Sequence, residues 1–182
     1  MSWVLAASLL LGPARAHAEE VPPKLGLLLL LKVLSYDANL EAHVAAGAEF
    51  VVLVPFLPAQ AAAAKELLAV AAGLEVDQVS GRKLRFESVP LASLEATAAS
   101  AKASAVLLPQ GAATELVEAV QALGAKKRLY TLALEEAPVK AGIALGVTLN
   151  NAKPLLLVNV PSSHAVGASF NTAVMRVARL FQ

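Results

Sequence analysis

Phe50-Val51-Val52-Leu53-Val54 is an unbroken apolar run, and Ala105-Val106-Leu107-Leu108 repeats the pattern further along the chain. A strand with one wet face alternates apolar and polar residues, because successive side chains point to opposite sides of the sheet. A strand buried on both faces has no reason to alternate. These two runs therefore read as central strands of a parallel sheet. Working outward, β-favouring runs lie at 49–55, 84–89, 103–108, 128–134, 143–149 and 155–160. Ala-rich stretches of helical length, 58–72, 91–101 and 112–123, separate the earlier ones. That alternation predicts a single-domain α/β fold, with a mainly parallel sheet flanked by helices.

Local signals refine this scheme. Pro58 suits a first helical turn. Within 114–123, Leu116, Val117, Val120 and Leu123 form one apolar stripe, and Gly124 reads as the stop that follows it. The link Asn150-Asn151-Ala152-Lys153-Pro154 is too short for a crossover helix, so the runs on either side of it are expected to form an antiparallel hairpin. A closing helix is expected next, with Phe170, Val174, Val177 and Phe181 on one face. Leu25–Leu34 is interrupted by Lys32 and too short to span a bilayer; it reads as an N-terminal helix, with a buried strand as the alternative.

Composition limits the functions available. Hydrophobic residues make up 57% of the 182-residue chain and charged residues 16%, enough apolar material for a sizeable core and too little charge for a disordered segment. A formal charge of +1 supplies no field for nucleic acid. Lys126-Lys127-Arg128 reads as a solvated helix end. The absence of cysteine excludes a disulfide scaffold, thiol nucleophiles and Cys-based metal sites. At the N-terminus, the apolar run Trp3 to Leu11 is broken by Gly12-Pro13 and followed by Ala16-His17-Ala18. This has the form of a secretory signal cleaved after Ala18, although no Lys or Arg precedes the apolar run. Residues 1–18 are thus expected to be a signal, 19–182 the mature domain, and the periplasm its location. Loss of Arg15 with the signal leaves 14 basic residues against 14 acidic ones.

No complete catalytic set can be assembled. His43 and His164 belong to no HxxxH or HExxH pattern, so no metal is expected. Ser162-Ser163-His164 lacks a GxSxG elbow and reads more simply as a helix cap. Pro109-Gln110-Gly111 follows a strand and opens a helix, but one glycine falls short of a phosphate-binding fingerprint. Its position still makes Gln110 and Gly111 candidates, because ligands of open α/β sheets bind beyond the strand carboxyl ends. Glu135, after the run ending at Leu134, is a candidate for the same reason; the adjacent pair Glu135-Glu136 otherwise reads as solvated loop acids. Tyr36, Asp37 and Asn39 form a polar cluster after a greasy segment. Asn159, Ser162 and Ser163 end the hairpin. These nine residues are the candidate partner- or ligand-binding set, with no catalytic residue, metal or cofactor expected.

The order of several segments resembles the YfiR family of periplasmic proteins, from about Leu25 to Leu180. Leu30-Leu31-Lys32-Val33-Leu34-Ser35-Tyr36-Asp37 is similar to the end of that family's first helix. Ala105–Leu108 and Arg128-Leu129-Tyr130-Thr131-Leu132 resemble its middle strands, and Ala141-Gly142-Ile143-Ala144-Leu145-Gly146 its entry to the hairpin. Pro154–Asn159 and Ser162–Gly167 resemble its closing segment. The family's aromatic-Trp-Pro is replaced by Tyr36-Asp37-Ala38-Asn39, and the cysteines of some members are absent. The resemblance implies a non-enzymatic regulator, a possible homodimer, that docks on a membrane sensor protein. That partner would be a diguanylate cyclase, whose restraint limits cyclic di-GMP signalling, or a histidine kinase. The alternative expectation is a periplasmic small-ligand binding protein, resembling one lobe of a solute-binding protein, with its ligand at the strand carboxyl ends.

Overall fold

The computed structural model describes residues 21–44 and 48–182. The expected signal at 1–18 lies outside them. Helix α1 (Pro23–Leu34) starts on a proline and buries Leu27, Leu30, Leu31 and Leu34, a single helical stripe. After the short α2 (Leu40–His43) comes β1 (Phe50–Phe56), then a 3₁₀ turn at Pro58–Gln60 that leads into α3 (Ala61–Ala72). Strands β2 (Gln78–Val79) and β3 (Arg82–Pro90) form a hairpin through Ser80 and Gly81, both at positive φ. Helix α4 (Leu94–Ser100), β4 (Ala105–Leu107), α5 (Thr114–Lys127), β5 (Tyr130–Ala133) and α6 (Glu136–Lys140) complete the alternating part. Then follow β6 (Leu145–Asn150), β7 (Lys153–Asn159), α7 (Val160–Ala165), α8 (Thr172–Val177) and β8 (Arg179–Phe181).

The strands form one sheet in the order β2-β3-β1-β4-β5-β6-β7-β8. From β3 to β6 every pairing is parallel; β6 and β7 pair antiparallel across a two-residue turn at Asn151-Ala152, both at positive φ. Helices cover both faces, and β1 shows how. Phe50, Val52 and Val54 enter one core with α1 and α3, whereas Val51 and Leu53 enter another with α4 and α5. The unalternating run quoted above is thus two interleaved apolar faces, each with its own helical layer.

Three sequence readings need correction. Gly124 does not stop α5; the helix runs on to Lys127 and ends on Arg128 in the left-handed conformation. Glycine is needed at 124 for space, since a Cβ there would lie 2.4 Å from Thr131 Cγ2 and 3.2 Å from the Leu129 carbonyl. The closing helix is also shorter than its apolar spacing suggests. Asn171 Oδ1 caps α8 by accepting the Val174 N–H at 3.0 Å, the helix ends at Val177, and Val177 is 69% exposed. Residues 179–181 instead add a parallel strand to β7, covering part of an edge that would otherwise be unpaired. Nor is Glu135-Glu136 a loop pair: Glu135 precedes α6 and Glu136 begins it, paired with Lys140 and Arg179. These cations, with the Lys140 hydrogen bond foremost, hold the Glu136 carboxyl below its ordinary range.

An interior Gly→Ala change ordinarily stabilises a helix by about 1 kcal/mol. Gly124→Ala is expected to do the opposite. Thr131 cannot easily turn aside, because its Oγ1 accepts the Ala144 N–H at 2.8 Å. Urea denaturation should show a net loss of about 1–3 kcal/mol.

Candidate functional site

Polar side chains gather at two opposite edges of the sheet. At the amino edge of β5 and β6, the buried Asp37 carboxylate, just past α1, is the centre. Its Oδ1 accepts the backbone N–H groups of Asn39 at 2.9 Å and Ser169 at 2.7 Å, and its Oδ2 accepts the Tyr130 hydroxyl. Asn39 Nδ2 donates to the Gly167 carbonyl at 3.0 Å, and Ala38 N–H donates to the Ser169 carbonyl at 3.0 Å. An isolated bridge joins Asp37 and Phe170. Segments distant in sequence, 37–39 and 167–170, are thereby tied to each other and to the first residue of β5.

Burial raises the Tyr130 phenol far above its ordinary value, and the hydrogen bond to Asp37 adds to the effect. The His43 ring packs on it with centroids 4.1 Å apart, and His43 Nδ1 donates to the Arg128 carbonyl at 2.6 Å. Beside this network lies a cleft of about 360 Å³. Asn39, Arg128, Ser163, His164 and Ser169 provide its polar lining, and Val160, Phe170 and Met175 its larger apolar groups. Ser163 is buried and its hydroxyl donates to the Ala144 carbonyl at 3.2 Å, so that proton is committed to the backbone rather than to His164.

The opposite edge holds the strand carboxyl ends. The chain leaves β1 for one side of the sheet and returns as β4 on the other, which makes the β1–β4 crevice a topological switch point. Side chains bridge it. Gln60 Nε2 donates to the Gly111 carbonyl at 2.7 Å, and the Gly111 N–H is given to the Glu135 carboxylate. The backbone donor that could cradle an anion already has an internal one. A smaller cavity of about 150 Å³ reaches Gln110 from the α3 side.

The nine candidate residues therefore divide. Asp37, Asn39 and Ser163 belong to the amino-edge cleft or its support. Asn159 and Ser162 lie behind it as structural groups: Asn159 Oδ1 caps α7 by accepting the Ser162 N–H at 3.0 Å, and its Nδ2 donates to the Val139 carbonyl. Gln110, Gly111 and Glu135 stand at the opposite edge. Tyr36 is 46% exposed and does not line the cleft. Sequence reasoning missed Arg128, Ser169, Phe170 and Met175. Gly167 carried a weak signal as the glycine closing a short helix, but Arg128 read only as part of a basic helix end.

No protein-family model matches the chain, and no curated protein matches it. Solved structures do. A conserved domain protein from Vibrio cholerae aligns with a TM-score of 0.59 at 14% identity, over 88% of this chain and 60% of that one. An ABC domain from Streptococcus pneumonia, in complex with L-Trp, aligns with a TM-score of 0.50 at 11% identity, over 81% of this chain and 61% of that one. A substrate binding protein with adhesive properties from Clostridium difficile, in its ligand-free, open form, aligns with a TM-score of 0.50 at 12% identity, over 79% and 58%. At such identities the likeness is one of fold, and this chain spans about three fifths of each matched structure.

Tyr130 gives the network a pH signature. Its raised folded-state value means that the unfolded chain releases the phenol proton first as pH rises. Stability from this group is complete below about pH 10 and falls above it. Tyr130→Phe should flatten the alkaline loss, while lowering stability near neutrality by about 1–3 kcal/mol because Asp37 Oδ2 loses its donor. Denaturant titrations from pH 7 upward compare the two proteins.

Proposed function

We propose that the chain is a non-catalytic binding protein that holds a small organic solute in the amino-edge cleft. The observation that carries this reading is the cleft itself. It is lined by a guanidinium, an amide and hydroxyl groups together with apolar side chains, in a volume suited to a small ligand. The fold supports the reading, since substrate-binding and ligand-bound proteins stand among its structural neighbours. Export fits such a role, and among the described residues no helix is long and apolar enough to cross a membrane. The Ser163 hydroxyl is committed to a carbonyl, and among the described residues no group of three or more His, Asp or Glu is placed to hold a metal ion.

A second reading is a docking regulator of the YfiR kind, acting on a membrane sensor. The specific observation in its favour is exposed apolar surface at Tyr36, Val177 and Leu180, which are 46%, 69% and 41% accessible. Such a protein would need surface rather than a cleft.

One experiment separates the two. A thermal-shift screen of the full chain against amino acids, organic acids and sugars should find at least one solute that raises Tm. A ligand at 100 times its Kd contributes about 2.7 kcal/mol. Ser169→Trp, at an exposed position that lines the cleft, should abolish that shift, while Val177→Asp should leave it intact. If no solute shifts Tm, and crosslinking in envelope fractions captures a membrane sensor in a manner lost with Val177→Asp, the docking reading replaces the first.

A further inference from the structure

Three features converge on Arg128. The first is its backbone. Arg128 ends α5 at φ 55°, ψ 48°, a left-handed conformation that glycine or asparagine adopts cheaply and that costs an arginine energy. His43 Nδ1 clamps its carbonyl in place.

The second is room for its side chain. A Cβ on Gly167 would fall 2.6 Å from Arg128 Nη2, 2.8 Å from Nε and 3.1 Å from Cζ, so the Nε–Nη2 edge of the guanidinium comes up against backbone that carries no side chain. Gly167 also sits at φ 86°, where glycine is favoured on its own account.

The third is unspent charge. Arg82 meets Glu41, Arg85 meets Glu49 and Glu87, and Arg179 meets Glu136. Among the described residues the Arg128 guanidinium has no hydrogen-bond or ion-pair partner, although it lines the cleft. The carboxylate behind the cleft, Asp37, is 6% exposed and accepts three internal hydrogen bonds.

We propose that the cleft takes a small organic carboxylate, its anionic group on Arg128 and its apolar body against Val160, Phe170 and Met175. This rests on the reading of the cleft as a solute site and names the chemistry of the solute. With its Nε–Nη2 edge against Gly167, the guanidinium keeps its Nη1–Nη2 end as the pair of N–H donors that matches a carboxylate. Because its backbone is clamped and its Nε–Nη2 edge sits against Gly167, less freedom is lost on binding than for an untethered arginine. The apolar groups supply area that a bare inorganic anion would not use.

Calorimetry on the full chain tests this with three probes: phenylacetate, its neutral isostere phenylacetamide, and inorganic phosphate. Phenylacetate should bind with a Kd of about 1 mM or tighter, and phenylacetamide about tenfold more weakly or worse. Arg128→Gln should weaken phenylacetate about tenfold and leave phenylacetamide unchanged, while Arg176→Gln changes neither. Arg128→Gly should lose phenylacetate binding yet raise Tm by about 2–4 °C, because glycine relieves the left-handed strain. That combination separates lost recognition from lost folding.

Equal affinity for acid and amide, unchanged acid affinity in Arg128→Gln, or binding of phosphate without phenylacetate would each overturn the assignment. If acid and amide bind equally and Phe170→Asp abolishes both, the solute site stands and its anionic character falls. Should none of the probes bind, the carboxylate assignment falls, and the solute reading is then decided by the wider screen described above.

Discussion

The Asp37 carboxylate is the tie on which the amino edge of this molecule depends. A buried ionised group is costly unless its lone pairs are satisfied, and this one accepts from two backbone N–H groups and a buried phenol. Those three donors come from the segment after α1, from the start of β5 and from the segment before α8. One side chain thus fixes three chain regions that no regular ladder joins. The cleft lies between the pieces it holds, so its shape follows from this bond set rather than from the sheet alone.

The neighbouring glycines show how tightly this edge is packed. Gly124 lets α5 approach Thr131, whose hydroxyl is committed to the first residue before β6. Gly167 lets the Arg128 guanidinium lie against the α7–α8 connection. In the first case the missing side chain brings helix and strand together. In the second it makes room for a charge that nothing inside the described chain neutralises. Packing and recognition therefore use the same device within one small region.

The two edges of the sheet have been treated differently. At the β1–β4 switch point, where open α/β sheets commonly bind ligands, Gln60 Nε2 and the Glu135 carboxylate take up the Gly111 carbonyl and N–H, while the buried Gln60 Oε1 has no partner. An external anion there would have to displace an internal carboxylate. At the amino edge the internal carboxylate faces away and the arginine faces the cleft. An open positive charge, rather than topology, distinguishes the edge proposed to recognise a solute.

Much of this architecture was legible in the sequence because it depends on local pattern. Two unalternating apolar runs required a sheet covered on both faces, and the Asn-rich link before Pro154 required a hairpin; both depend on side-chain periodicity and turn chemistry within a few residues. The polar cluster at Tyr36–Asn39 and the Ser162-Ser163 pair were also visible, though not that Asp37 and Ser163 would meet at one edge while Gln110 and Glu135 stood at the other. Where the pattern was ambiguous it misled. Gly124 looked like a stop because glycine is a poor helix former, whereas the contact with Thr131 that explains it comes from another element. Residues 179–181 continued a helical spacing, but the open edge of β7 drew them into a strand. Arg128 shows the limit most plainly: its position beside two lysines is a fact of sequence. Its left-handed backbone, its guanidinium edge against Gly167 and its lack of a partner arise only when α5, β5 and the 166–170 segment pack together, because each depends on atoms far away along the chain.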